Sequence, residues 1–243
     1  MSLRSFRSAV AFLTVVPLAA AAGHPGERLG RAYFPAIGAL LGLVAGVCFV
    51  MVAALTTPLI AAVAATAVLA VLTGALHLDG VADAVDGLFG GKDVARRLEV
   101  MRDPRVGSFG LVAVILVVIG DVAALASIPP SQAIVALVIA GAISRWAMLM
   151  MIATLPYVRD TGLGLAAVGA HRSFDVLLGS ALTTIVCLLA WRPALVSVLV
   201  AATIVLGIRT IARLRIGGAT GDVYGTTAEL TQLGVLIVFG AHR

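Results

Sequence analysis

Long apolar runs limit the folds open to this chain more than any other feature. Tyr33 to Leu55, Leu59 to Leu76, Phe109 to Ala126, Ala133 to Ala153, Phe174 to Ala190 and Ala194 to Ile208 are each apolar over most of their length. A helix crossing a bilayer needs about 20 such residues. Of 243 residues, 61% are hydrophobic and 12% charged, against about 25% charged in a soluble domain. Backbone polar groups in hydrocarbon must be satisfied within helices, so no open sheet is expected in the lipid. The expected fold is all-α: a polytopic transmembrane helix bundle of about six spans, in a single domain over 1–243.

The runs sort by side. The tight turns at Thr56-Thr57-Pro58, around Pro129-Pro130, and at Trp191-Arg192-Pro193 contain one charge, Arg192. The charged loops all fall on the other side, which the positive-inside rule makes cytoplasmic. The net charge of +5 belongs to that bias. It does not point to nucleic acid, and the surrounding partner is membrane lipid. The N-terminal stretch has two readings. Arg4 and Arg7 before AVAFLTVVPLAAAAG have the pattern of a signal peptide. Roughly 15 apolar residues interrupted by Pro17 also suit an interfacial or re-entrant helix that does not cross, and the side count favours this second reading. Gly38, Gly42 and Gly46 form a ridge for close helix contact. Cys48 and Cys187 lie within apolar runs and read as small core residues. Leu230 to Gly240 is short for a span.

Half of the 12 acids lie between His77 and Gly110: Asp79, Asp83, Asp86, Asp93, Glu99 and Asp103. Asp79, Asp83 and Asp86 are spaced i, i+4, i+7, one face of a helix. Like charges so placed need compensation. Mg²⁺ supplies it, since it prefers carboxylate and phosphate oxygens. Lys92, Arg96, Arg97, Arg102 and Arg105 would supply it in a salt-bridged, solvated loop. An ionisable cluster at the end of a span is functional by default. The expected metal ligands are Asp79, Asp83 and Asp86 with Asp103 and Asp222. Asp83 and Asp86 are candidate catalytic groups.

The other candidates each carry a plainer alternative. Gly80 and Gly87 would let a phosphate approach the backbone, or are ordinary helix-end glycines. Arg102 and Arg105 suit a pyrophosphate clamp, or a helix-end salt bridge with Asp103. In the turn GGATGD, Thr220 is a substrate contact and Asp222 a ligand, base or N-cap. Asp121 and Arg145 fall inside spans. They either pair across adjacent helices, or Arg145 reaches the cytoplasmic mouth as a substrate contact. His77 is structural or a general base. The loop from Arg159 to Arg172, with His171, is a candidate lid.

HLDGVADAVDG, RLEVMRDPRVGSFG and GGATGDVYGTTAEL closely resemble motifs of the cobalamin synthase family, the adenosylcobinamide-GDP ribazoletransferases of vitamin B12 synthesis. SFRSAVAFLTVVPL and YFPAIGALLGLVAG are similar to that family's N-terminal pattern, so the resemblance covers nearly the whole chain. It departs at Val15 or Val16, where the family often carries a basic residue (FLTRLP). The resemblance implies transfer from adenosylcobinamide-GDP to α-ribazole or its 5′-phosphate, releasing GMP and giving adenosylcobalamin or its phosphate. It also implies Mg²⁺ as cofactor and a place in the cell inner membrane, with the site facing the cytoplasm. The runner-up is a membrane phosphotransferase of the CDP-alcohol type, whose DGxxAR pattern is not matched. An ion-coupled transporter, motivated by Asp121 and Arg145, is a third reading. The sequence leaves open a homo-oligomer or an assembly with other enzymes of the pathway.

Overall fold

The structure is a computed structural model that describes residues 3–16, 29–168 and 172–242. The polar stretch Gly23 to Arg28 and the candidate lid residue His171 lie outside these. The described residues form ten α-helices: α1 (Leu3–Leu13), α2 (Phe34–Ala53), α3 (Pro58–Thr73), α4 (Leu76–Gly90), α5 (Val94–Val100), α6 (Ser108–Ala126), α7 (Pro130–Thr154), α8 (Arg172–Cys187), α9 (Trp191–Ile216) and α10 (Gly221–Ala241). The expected all-α polytopic bundle is the observed fold. Its only β pairing among the described residues is a single bridge, Tyr157 to Ala219.

By length and composition four stretches qualify as spans: Arg31–Ala53, Ser108–Ala126, Pro130–Thr154 and Ser173–Ile216, with the bent pair α3–α4 a fifth. Ser173–Ile216 contains two arms. A 3₁₀ turn at Leu188–Ala190 ends α8, and Ala190 (φ −151, ψ 71) breaks the helical path. Both outer ends of this pair return to the same face of the protein. Arg31, just before α2, bonds Asp175 near the start of α8 and the Ala167 carbonyl, while Ala219, just past α9, pairs with Tyr157. The hairpin is therefore present. Its turn lies before Trp191-Arg192-Pro193 and not around it, because a proline in the first helical turn removes an N–H that has no intrahelical partner anyway.

Two further boundaries differ from the sequence reading. The span expected to reach Leu76 ends at Thr73. Gly74 (φ 62) and Ala75 (φ 54) are both left-handed, and the chain turns by 86° into α4. The final apolar run is part of the 21-residue α10, about 31 Å long at helical rise. Its polar first half is covered by other helices, so hydropathy alone under-reads it. By contrast α1 has 11 residues, about 16 Å, too short to cross.

α7 is the most enclosed of the spans and packs most extensively on α2. The glycine ridge makes that contact. A Cβ on Gly38 would strike the Gly141 carbonyl, one on Gly42 the Leu137 carbonyl, and one on Gly46 the Ile134 Cα. No hydrophobic force draws helices together in lipid, so backbone approach of this kind supplies the packing. Gly42→Ala should lower stability by about 1–3 kcal/mol through overpacking, measured by unfolding in detergent. Gly207→Ala is the control, since nothing lies within 4 Å of a Cβ there.

Candidate active site

Three long loops converge on one face. Arg97 of α5 donates to the Arg215 carbonyl at the end of α9 (3.0 Å), and Arg159, after α7, donates to the Met101 carbonyl after α5 (3.2 Å). Val158 N–H donates to the Ala219 carbonyl and Ala219 N–H to the Pro156 carbonyl. Under this face α4 lies against the first turns of α10. Gly80 abuts the Asp222 backbone, Gly225 abuts His77, and Thr226 Oγ1 donates to the Gly80 carbonyl (3.0 Å). A larger residue at Gly80 or Gly225 would separate the two helices.

This contact brings together Asp79 and Asp83 of α4 and Asp222 of α10. Asp83 stands in the field of Asp222, Asp79 and Asp86, with Arg159 as the opposing charge. Arg159 Nη1 is 2.9 Å from Asp222 Oδ2, which also accepts from Thr220 Oγ1 (3.1 Å). Asp79 and Asp83 have no side-chain hydrogen bond or ion pair among the described residues, and Asp79 is exposed. Their oxygens are the uncommitted acceptors of the site.

The remaining expected site residues are placed differently. Asp86 Oδ2 accepts from Gly107 N–H (2.7 Å) and Oδ1 from Gly110 N–H (2.9 Å). The carboxylate thereby caps the start of α6, where orphan N–H groups and the helix dipole favour negative charge. Asp103 is bound to Arg105 by two guanidinium hydrogen bonds, at 2.9 and 2.8 Å. These hold its carboxyl down at about 2, so it is ionised throughout the physiological range. Arg105 is mostly exposed, and Arg102 is exposed beside Tyr157. Gly87 is packed against Met101 and the Arg97 carbonyl. Thr220, not Asp222, is the N-cap of α10, its Oγ1 accepting from Val223 N–H.

Arg145 does not reach the mouth. It is 1% exposed, and its guanidinium donates to Ser144 Oγ (2.9 Å) and Gln232 Oε1 (3.4 Å) and meets His77 Nδ1 (3.3 Å). A residue so enclosed is a strut, not a phosphate contact. Nor does it pair with Asp121 directly, because Gln232 stands between them, donating to Asp121 Oδ2 (3.2 Å). With the guanidinium as donor, His77 Nδ1 is the acceptor and the ring proton lies on Nε2. The free edge of that imidazole then donates and does not act as a base. Glu229 Oε1 lies 3.7 Å from His77 Nδ1.

A cavity of about 220 Å³ opens beside the aspartates, bordered by Asp79, Arg159, Asp222, Phe12, Tyr157 and Tyr224 among others. Burial raises the Tyr157 phenol above its ordinary value, so it stays protonated. Sequence reasoning passed over Arg159 as a site residue, over Gln232 and the two tyrosines, and noted Glu229 without giving it a role of its own. A signal for the buried pair was present: an acid and an amide three residues apart at the start of an apolar run, one helix face inside a membrane protein.

Fold and site define a polytopic helical membrane protein with a carboxylate-bearing face under its charged loops. Residues 5–240 match the model of the cobalamin-5-phosphate synthase family, and the chain belongs to that family. It is 35% identical over 232 residues to the adenosylcobinamide-GDP ribazoletransferase of Stutzerimonas stutzeri, covering 94% of both chains. It is 38% identical over 243 residues to the protein of that name from Sinorhizobium medicae, covering 93% of this chain and 92% of the relative. No solved structure is significantly similar.

The geometry separates two kinds of aspartate. Asp86→Ala should lower stability by about 1–3 kcal/mol, because it strands two helix-start N–H groups. Asp83→Asn, which breaks no hydrogen bond and removes one of four neighbouring negative charges, should leave stability unchanged or raise it. Thermal unfolding of the purified variants in one detergent measures both.

Proposed function

We propose that this protein transfers the adenosylcobinamide-phosphate moiety of adenosylcobinamide-GDP to α-ribazole, or to α-ribazole 5′-phosphate. GMP is released and adenosylcobalamin, or its 5′-phosphate, is formed. The observation that carries the reading is the pair of unbonded carboxylates, Asp79 and Asp83, opposite Asp222 and Arg159, in a chain of this family. The attacking hydroxyl belongs to the ribose. The phosphorylated acceptor keeps its 5′-phosphate, so the nucleophile is another ribose hydroxyl. It attacks the phosphorus that bears cobinamide, and the bond from that phosphorus to the bridging oxygen of GMP breaks.

Mg²⁺ is part of the proposal, and the donor set fits it. Among the described residues no three His, Cys, Asp or Glu side chains are arranged to hold a metal alone. Mg²⁺ is commonly held by one or two carboxylates, with waters and substrate phosphates completing six oxygens. Asp79 and Asp83 would hold it, with Asp222 across from them. Bound there, the ion would neutralise phosphate charge and stabilise the leaving oxygen. Asp86 and Asp103 have other partners and are left out of this set.

The chain's own groups supply the rest. Arg159 fixes Asp222 and limits the repulsion among the carboxylates. The oxygen of Asp79 or Asp83 turned away from the ion takes the proton of the attacking hydroxyl. Arg102, exposed at the rim, orients the phosphates, which lowers the entropic cost of bringing two large substrates together. In this reading the face lies on the cytoplasmic side of the cell inner membrane, which the positive loops around it support.

Asp79→Asn and Asp83→Asn should each reduce GMP release by about 10³-fold or more, the scale set by losing a transition-state charge contact, while both variants insert normally. GMP formation from adenosylcobinamide-GDP and α-ribazole is followed by mass spectrometry, with and without Mg²⁺. Full activity in both variants would sink the site assignment. Full activity in metal-stripped protein would sink Mg²⁺. Turnover with a CDP-alcohol and not with this donor would sink the reaction.

A further inference from the structure

The cavity beside the aspartates has a division of surface that the proposed reaction leaves unused. Its volume is about 220 Å³. One part is apolar and aromatic: Phe12 from α1, Leu76 from α4, Met148 from α7, Tyr157 and Tyr224. The two tyrosine rings lie 6.2 Å apart and are tilted by 32°. Phe12 is braced from behind by stacking on Phe34 at 5.6 Å. Between them run stretches of bare backbone at Gly162, Gly164, Gly221 and Gly225, a surface on which a flat ring can lie.

The charged groups are gathered in one place. Asp79, Asp222 and Arg159 are neighbours, His77 has its Nδ1 engaged by Arg145, and the two phenol hydroxyls complete the polar side chains of the lining, that of Tyr157 donating to the Thr161 carbonyl. Among the described residues no Ser, Thr, Asn or Gln side chain lines the cavity. The cavity is therefore a slot walled largely by apolar and aromatic side chains, with Asp79 and Asp222 on its border.

We infer that this slot is the acceptor subsite and takes the bicyclic aromatic base of α-ribazole, with the ribose at Asp79 and Asp222. The inference rests on the proposed reaction and adds to it the location of one substrate. Each substrate group can be compared with the walls. A corrin ring with its amide side chains is far larger than the slot. Guanine is flat and of the right size, but its edge carries several donors and acceptors, and most of the side-chain wall it would lie against is ring face and apolar side chain, which satisfies none of them. The dimethylbenzimidazole of α-ribazole carries two methyl groups and no N–H. It buries well against Phe12, Met148 and the tyrosines, in offset or edge contact with the rings. Its ribose then emerges at the polar end, where a hydroxyl has to meet the phosphorus.

The test uses the full-length protein in nanodiscs. Labelled α-ribazole is bound to it without donor and displaced with unlabelled α-ribazole, dimethylbenzimidazole or guanosine. The first two should displace the label and guanosine should not. Leu76→Trp, which fills the slot, and Tyr157→Ala, which opens it, should each raise the KM for α-ribazole about ten-fold or more and leave the KM for adenosylcobinamide-GDP unchanged. Two variants of opposite size guard against a simple folding defect, and monodispersity on gel filtration confirms each. Displacement by guanosine, a rise confined to the donor's KM, or unaltered α-ribazole binding in Leu76→Trp would each overturn the assignment. The binding arm needs no turnover. Specific binding of α-ribazole with no GMP release would sink the reaction and leave the slot standing.

Discussion

The structure depends on how one guanidinium is kept inside a membrane protein. Arg145 is fully enclosed and cannot be left unpaired there, since an isolated charge in a low-dielectric interior is very costly. Its partners come from three neighbours in the fold: Ser144 on its own helix, Gln232 on α10 and His77 on α4. Gln232 passes the connection to Asp121 on α6. Four helices, α4, α6, α7 and α10, are thus tied by one polar chain. A cavity of about 20 Å³ adjoins Asp121, Arg145, Glu229 and Gln232, enough room for a single water. Such a network is costly unless nearly every member is satisfied, and for that reason it admits few alternative arrangements.

The consequence for the site is positional. His77 lies two residues before Asp79, so the buried end of α4 is pinned by Arg145 while its aspartates rise toward the loops. The other end is pinned by Asp86, whose carboxylate holds the first turn of α6. Between these anchors Asp79 and Asp83 are left without partners among the described residues, beside Asp222. Of the three aspartates on one helix face, one serves the fold and two remain available for chemistry. The i, i+4, i+7 spacing cannot make that distinction, because it depends on where α6 begins.

Much of this was legible in the sequence. Apolar run length gave the bundle, the glycine ridge gave a close helix contact without its partner, and the charge of the loops gave the common face. The spacing of Asp79, Asp83 and Asp86 suited a helix, and the hairpin topology put the loop carrying Asp222 at the same mouth. What escaped reading has a common physical cause: a side chain's role depends on partners distant in sequence. Arg145 looked available and is buried. Asp86 looked like a ligand and is held by the N–H groups of Gly107 and Gly110, two helices further on. Arg159 looked like part of a lid and is the counter-charge of the site. The polar half of α10 hid a helix as long as the membrane core is thick, since hydropathy counts residues without knowing which of them face protein.

The turn between α3 and α4 shows how the fold fixes the depth of the site. Gly74 adopts its left-handed conformation freely, but Ala75 at φ 54 does so at a cost of about 1–2 kcal/mol. A straight continuation of α3 would avoid that cost and would carry Asp79 and Asp83 along the span axis, away from α10. The bend persists because it is held on both sides. Ala75 N–H donates to the Ala70 carbonyl at 2.7 Å, and the Leu72 carbonyl accepts from Val15 N–H at 2.9 Å. This second bond fastens the end of the N-terminal segment to the bend. The same segment contributes Phe12 to the slot. A short helix that does not cross therefore braces the turn that presents the aspartates and forms a wall of the cavity they open onto, and this couples the site's geometry to the seating of α1 at the membrane surface.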